Sequence, residues 1–244
     1  MHTYRADFFK QVFLVGSRFR EGSQLNAGGE DMEGLVKETP TKRMRRKKII
    51  DTAKKLFYER SIANTTITDI AKESNTARST IYEYYSSKEE LLYDIRQEYL
   101  AEIYNFDFKA DNNKNWFEEL KRFLIMLTEN LFSLPNAMIF FVEYNRYLTI
   151  IGDFDDVIDI RDYHSIESLY RSYEKGLEED TIKVKDFEKK FITVLEAIIG
   201  IVSRFSIREK YYYKKYNQGE HPFITKKEDM REIIMVLINS LNEE

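Results

Sequence analysis

Six cations crowd positions 42–48: Lys42, Arg43, Arg45, Arg46, Lys47 and Lys48. Further on, Arg78, Ser79, Thr80, Tyr82, Tyr84 and Lys88 gather donors of a second kind within one short stretch. Ammonium and guanidinium groups bind phosphate, and a guanidinium also forks onto guanine O6 and N7. Serine and threonine hydroxyls bond phosphates or base edges, and a threonine methyl packs on that of thymine. Tyr82 and Tyr84 offer hydroxyls for phosphates and rings for sugars, whereas Tyr85 is read as core. Glu83 is the discordant member, repelled by phosphate but able to accept from cytosine N4.

Catalysis finds no comparable support. His2, His164 and His221 are far apart, and neither a nucleophile elbow nor a glycine-rich phosphate loop is present. The absence of cysteine removes disulfides, thiolate metal sites and a thiol nucleophile, and is compatible with a reducing, cytoplasmic location. Asp153, Asp155, Asp156 and Asp159 cluster without the glycine and terminal glutamate of a calcium loop. The expectation is a protein that is not an enzyme and has neither a cofactor nor a metal.

The formal net charge of −4 is unevenly divided. Residues 42–88 carry +7, residues 1–41 carry −1, and residues 89–244 carry −10. A compact basic piece joined to a larger acidic one fits a protein in which only one part meets a polyanion. Nucleic acid and an anionic membrane surface are the two candidates. Apolar runs such as Ala137–Val142 and Ala197–Val202 are too short to span a bilayer, and Lys10 and Gln11 interrupt the one signal-like stretch, so no membrane role is expected.

These side chains need elements to hold them. Nine glycines and three prolines in 244 residues are too few for the turns of a sandwich or barrel, and favour helices. Ile49, Ile50, Ala53, Leu56 and Phe57 form a helical stripe in a first helix from about Thr41. Thr66 and Asp69 have the spacing of a capping box that opens a second helix over 67–74. Asn75 suits a left-handed turn. A third helix is expected over 77–85, and Ser87 caps a fourth over about 88–104. Two short helices about a tight turn on a longer one make a helix-turn-helix.

Over residues 46–95 the chain resembles the N-terminal domain of the TetR family of transcriptional regulators. The matching words are Ile49-Ile50-Asp51-Thr52-Ala53, Leu56-Phe57, Thr65-Thr66-Ile67-Thr68-Asp69-Ile70-Ala71, Ser79-Thr80-Ile81-Tyr82 and Lys88-Glu89-Glu90-Leu91-Leu92, in ungapped order. Ser61, Asn75 and Ser79 stand where that family favours glycine, and Ala77 where serine or threonine is frequent. The resemblance implies that the third helix lies in the major groove. It also implies that Tyr82 and Lys88 clamp phosphates, that Thr68 touches DNA from helix two, and that Arg45 and Arg46 track the backbone or reach the minor groove. The expected DNA contacts are therefore Arg45, Arg46, Thr68, Arg78, Ser79, Thr80, Tyr82, Tyr84 and Lys88.

Further helical stripes follow. Trp116 to Leu131 ends at Pro135; residues 136–148 are rich in aromatics, including Phe140, Tyr144 and Tyr147; residues 155–179 carry Ile158, Tyr163, Ile166 and Leu169. Two apolar helices, at about 186–210 and 226–241, close the chain. The fold class is thus all-α. A disordered arm over 1–40 precedes a helix-turn-helix domain over 41–88, and a larger helical ligand-binding and dimerisation bundle spans 89–244. The resemblance implies a homodimer through the last two helices on a pseudo-palindromic operator, and a repressor released by a lipophilic or aromatic small molecule. Trp116, Phe140, Tyr144, Tyr170 and Tyr173 are the candidate pocket, against the plainer reading of helix core. A DNA-bound adaptor that recruits a protein partner and has no inducer is the alternative. The run Ala27-Gly28-Gly29-Glu30-Asp31-Met32 reads as a translated ribosome-binding site, which puts the native start at Met32; a genuine arm is the competing reading.

Overall fold

A computed structural model describes residues 14–15, 39–111, 114–152, 158–159, 163–179, 187–216 and 226–242. The described residues are almost entirely helical. In chain order they form β1 (Leu14–Val15), α1 (Pro40–Arg60), α2 (Ile67–Glu73), α3 (Arg78–Tyr82), α4 (Lys88–Tyr104), α5 (Trp116–Ser133) and α6 (Pro135–Ile151). Then come β2 (Ile158–Asp159), α7 (His164–Glu178), α8 (Phe187–Tyr216), α9 (Lys227–Asn239) and a closing 3-10 turn (Ser240–Asn242). The expected arm and the start at Met32 lie outside the described residues, save for β1, Thr39 and Pro40. β1 and β2 pair antiparallel, with Leu14 opposite Asp159 and Val15 opposite Ile158. No single helix among the described residues is long and apolar enough to cross a membrane.

The chain divides into two compact units. One comprises residues 16–96 and 143–156. Its core is the stripe Ile49, Ile50, Ala53, Leu56 and Phe57 of α1, met by Ile67, Ile70 and Ala71 of α2, Ile81 of α3, and Leu91, Leu92 and Ile95 of α4. Each of these is at most 8% exposed, and apolar burial on this scale is what fixes such short helices, which are marginal alone.

The local signals explain the boundaries. The Thr39 side chain accepts from the Lys42 N–H, and proline stands at the first turn of α1, where its missing N–H costs nothing. At α2 the Asp69 N–H donates to Thr66 Oγ1 at 3.1 Å, and the Thr66 N–H donates to Asp69 Oδ2 at 2.8 Å, the reciprocal pair of a capping box. α2 ends in a Schellman motif: the Thr76 N–H bonds the Ala71 carbonyl at 2.9 Å, the Asn75 N–H bonds that of Lys72 at 3.2 Å, and Asn75 has φ 48°.

Two expected helices are shorter. α3 stops at Tyr82 rather than residue 85, because the Tyr84 N–H turns to the Ile81 carbonyl three residues back and Tyr85 is drawn into the core, 2% exposed. The helix expected from residue 155 starts at His164. The five-residue step from Ile158 to Tyr163 breaks the helical spacing that Ile166, Leu169 and Tyr173 then keep. Of the aspartate cluster, only Asp159 is described, and it sits in β2.

The other unit comprises residues 1–15, 97–142 and 157–244. α5 packs against α7, α8 and α9, and α8 against α9. Arg231 of α9 forks onto both Glu129 oxygens of α5, at 2.6 and 2.5 Å. Leu120, Phe123, Leu124, Leu127, Leu169, Phe191, Ile198, Val202, Ile234 and Ile238 fill its core. α8 continues through Tyr211 to Tyr216, beyond the stripe that identified it.

Candidate nucleic-acid interface

α3 is a five-residue helix with no side-chain cap at Ala77, so its placement rests on one anchor. Ile81, 0% exposed, is the buried residue of this helix, which packs on α2, and this leaves the opposite side outward. Arg78, Ser79 and Tyr82 lie on that outward side, with Thr80 half-buried. Arg78 and Tyr82, one turn apart, hold each other: a guanidinium nitrogen of Arg78 donates to the Tyr82 hydroxyl at 3.2 Å, and the guanidinium lies 5.4 Å from the ring centroid. The pair is pre-set in an exposed position, which lowers the ordering cost of a later contact. Thr68 is exposed on α2, and Tyr84 is half-buried with the Lys42 ammonium 5.8 Å above its ring.

The basic run divides in two. Lys42, Arg43, Arg45, Lys47 and Lys48 are exposed on the first turns of α1. Arg46 instead turns back to the protein. It donates to the Asp94 carboxylate of α4, and its Nε donates to the Tyr85 hydroxyl at 3.2 Å. The Asp94 hydrogen bond raises the Arg46 pKa further above its ordinary value, and burial raises that of Tyr85, so both stay protonated.

Lys88 is also turned inward. Its Nζ donates to the Ile62 carbonyl at 2.5 Å and lies over the rings of Tyr147 and Phe57, at 4.9 and 5.9 Å. Burial lowers its pKa. Beside it, the Tyr147 hydroxyl donates to Glu89, which is held below the usual carboxylate range chiefly by that bond. Asp94, Tyr147 and the Ile62 carbonyl are the partners that sequence reading missed. They lie 48, 59 and 26 positions from the residues they hold, and no periodic signal links such distances.

Of the five aromatic candidates for a pocket, Trp116, Phe140, Tyr144 and Tyr173 are buried. Trp116 meets Tyr173 edge-on at 5.1 Å between centroids, and Phe187 at 6.2 Å. Phe140 packs on Tyr99 at 5.1 Å and on Phe141 at 5.7 Å. Tyr144 is buried and Tyr170 half-buried.

A basic helix-turn-helix with donors on the outer side of its second short helix defines a DNA-binding class of domain. Over residues 49–95 the chain matches the model of the bacterial regulatory proteins of the tetR family, so the likeness lies in its helix-turn-helix segment. The chain is 33% identical over 81 residues to the uncharacterized HTH-type transcriptional regulator YxbF of Bacillus subtilis, a match covering 33% of this chain and 21% of that protein. It is 33% identical over 67 residues to the HTH-type transcriptional regulator HbdR of Aromatoleum sp., covering 28% of this chain and 29% of that one. The chain thus spans less than a third of either curated relative. Its fold resembles the crystal structure of a TetR-family transcriptional regulator from Rhodococcus sp., with a TM-score of 0.55 and 12% identity over 81% of this chain and 98% of that one. A second, from Vibrio parahaemolyticus, has a TM-score of 0.50 and 18% identity over 80% and 97%. At these identities the likeness is one of fold.

Proposed function

We propose that the chain is a transcriptional regulator that binds a pseudo-palindromic operator as a dimer and represses until a small lipophilic or aromatic molecule releases it. The observation that carries the DNA-binding part is the outward Arg78–Tyr82 pair on a helix anchored by Ile81, within a segment of net charge +7. In this reading Arg78, Ser79 and Thr80 face base edges. Thr68, Tyr82, Tyr84, Arg45 and Lys88 serve phosphates, and Arg46 positions α1 against α4. The head is residues 41–88, and the acidic remainder, at −10, is repelled by DNA and leaves the head to dock.

The test is binding to duplex DNA from the region upstream of the chain's own gene, measured across salt concentrations. The parent is expected to show a steep linear fall of log affinity with log salt. Arg78→Ala is expected to lose about 1–3 kcal/mol on the operator and to relax base preference at one position. Equal operator binding by parent and variant would remove α3 from the interface.

The adaptor reading keeps one observation in its favour. Trp116, Tyr173 and Phe187 are at most 5% exposed, and Trp116 meets the other two edge-on as core aromatics do. Thermal-shift titration with lipophilic aromatic compounds separates the two. A concentration-dependent rise in Tm supports the inducer, and its absence across a broad panel supports the adaptor.

A further inference from the structure

Lys88 opens α4, but its ammonium faces inward. One N–H goes to the Ile62 carbonyl, and the Tyr147 ring stands 4.9 Å from Nζ, with that of Phe57 at 5.9 Å. An ammonium has three donors and no acceptor, and both rings lie within cation–π reach. Tyr147 is itself fixed, because its hydroxyl donates to Glu89. Burial, then Glu89, pushes that hydroxyl up to about 12, so it remains a donor at neutral pH. A phosphate approaching Lys88 meets an ammonium already engaged by a carbonyl and an aromatic face.

We propose that Tyr147 is a positioning residue that latches the Lys88 ammonium inward against the Ile62 carbonyl and so withholds one phosphate contact until the ring is displaced. The latch stands on geometry alone; its consequence for affinity rests on the DNA-binding reading above. Removing the ring frees a cation for phosphate, so its loss strengthens DNA binding, whereas loss of a merely structural aromatic weakens it.

The experiment uses the full chain with its lysines reductively methylated with carbon-13, and Lys88→Gln assigns the Lys88 signal. That signal is expected upfield of the exposed lysines through the ring current and to titrate below them. Tyr147→Phe, which keeps the ring but loses the hydroxyl bond to Glu89, is expected to move the signal part of the way, and Tyr147→Leu to abolish the displacement. A Lys88 signal at the position of the exposed lysines in the parent, or one unmoved by Tyr147→Leu, overturns the latch. If Tyr147→Leu does not fold, Glu89→Ala unpins the Tyr147 hydroxyl from an exposed position and is expected to move the signal part of the way; an unmoved signal counts against the latch equally. On duplex DNA from the upstream region, Tyr147→Leu is expected to bind severalfold more tightly at low salt, with a salt slope steeper by about one ion. Adding Lys88→Gln is expected to cancel both gains. Weaker binding by Tyr147→Leu, or an unchanged slope once the signal shows release, refutes the withheld contact. If the displaced signal is present but neither parent nor variants bind duplex DNA, the latch holds and the DNA-binding reading falls.

Discussion

Ser61 closes α1 with φ 77° and ψ 160°, a backbone region that glycine occupies readily and a side chain resists. Its N–H still bonds the Phe57 carbonyl, so the helix end is satisfied and the strain is conformational. Ser61→Gly is therefore expected to stabilise the protein by about 1 kcal/mol, read as a rise in Tm of roughly 2–4 °C for a chain of this size. An unchanged or lower Tm would count against that strain. Arg46 carries a second prediction at this scale. Asp94→Ala removes its principal partner, and because the pair is partly exposed the loss is expected to be only about 1 kcal/mol in urea unfolding. The same change frees a guanidinium beside the exposed cations of α1, so DNA binding is expected to hold or to strengthen while stability falls.

α2 shows how an element is set by its ends. The capping box satisfies two of its orphan donors, and the Schellman motif closes the other end on a left-handed asparagine. Thr66→Ala is expected to cost about 1 kcal/mol. The pH dependence follows from the carboxylates at helix starts. Asp69 and Glu90 are held below their ordinary pKa chiefly by hydrogen bonds from Thr66 and Ser86, and Glu89 by that from Tyr147. A group whose native pKa is lowered binds fewer protons folded than unfolded in the window between the two values. Its stabilisation is present above the usual carboxylate range, near pH 4, and is lost as pH falls through the lowered native value. The gap in urea midpoint between parent and Asp69→Asn is thus expected to be wide at pH 7 and to narrow as pH falls below the usual carboxylate range. A gap independent of pH would assign the effect to something other than charge. α3 has no such ends and owes its position to Ile81.

For the whole molecule the decisive contrast is between a head of +7 and the −10 of residues 89–244. A single short recognition helix makes few contacts, and two copies about one DNA turn apart multiply them. On α9, Ile233 and Val236 remain 46% and 69% exposed, an apolar edge on one of the two helices proposed as the dimer face. Val236→Glu is expected to shift the sedimenting species from twice the 29.2 kDa chain mass toward the single chain, and to weaken operator binding with it. A dimer that survives this substitution would place the interface elsewhere.

The helical class, the order of helices, the capping box at Thr66, the left-handed turn at Asn75 and the stripe of α1 are legible in the residues alone. These are local matters, decided by spacings of three and four residues and by which side chain can bond a nearby N–H. Equally legible is which residues of α3 carry DNA-capable chemistry, because Arg78, Ser79, Thr80 and Tyr82 are read directly from their types. Which cations stay outward is a matter of long-range packing. Arg45 and Arg46 are neighbours with the same guanidinium, yet Arg46 finds Asp94 and Tyr85 across the fold and Arg45 remains exposed. Lys88 likewise meets Tyr147, distant in sequence and adjacent in space. The pairing of charges depends on distances of a few ångströms between helices, and those distances are set by how the apolar stripes pack.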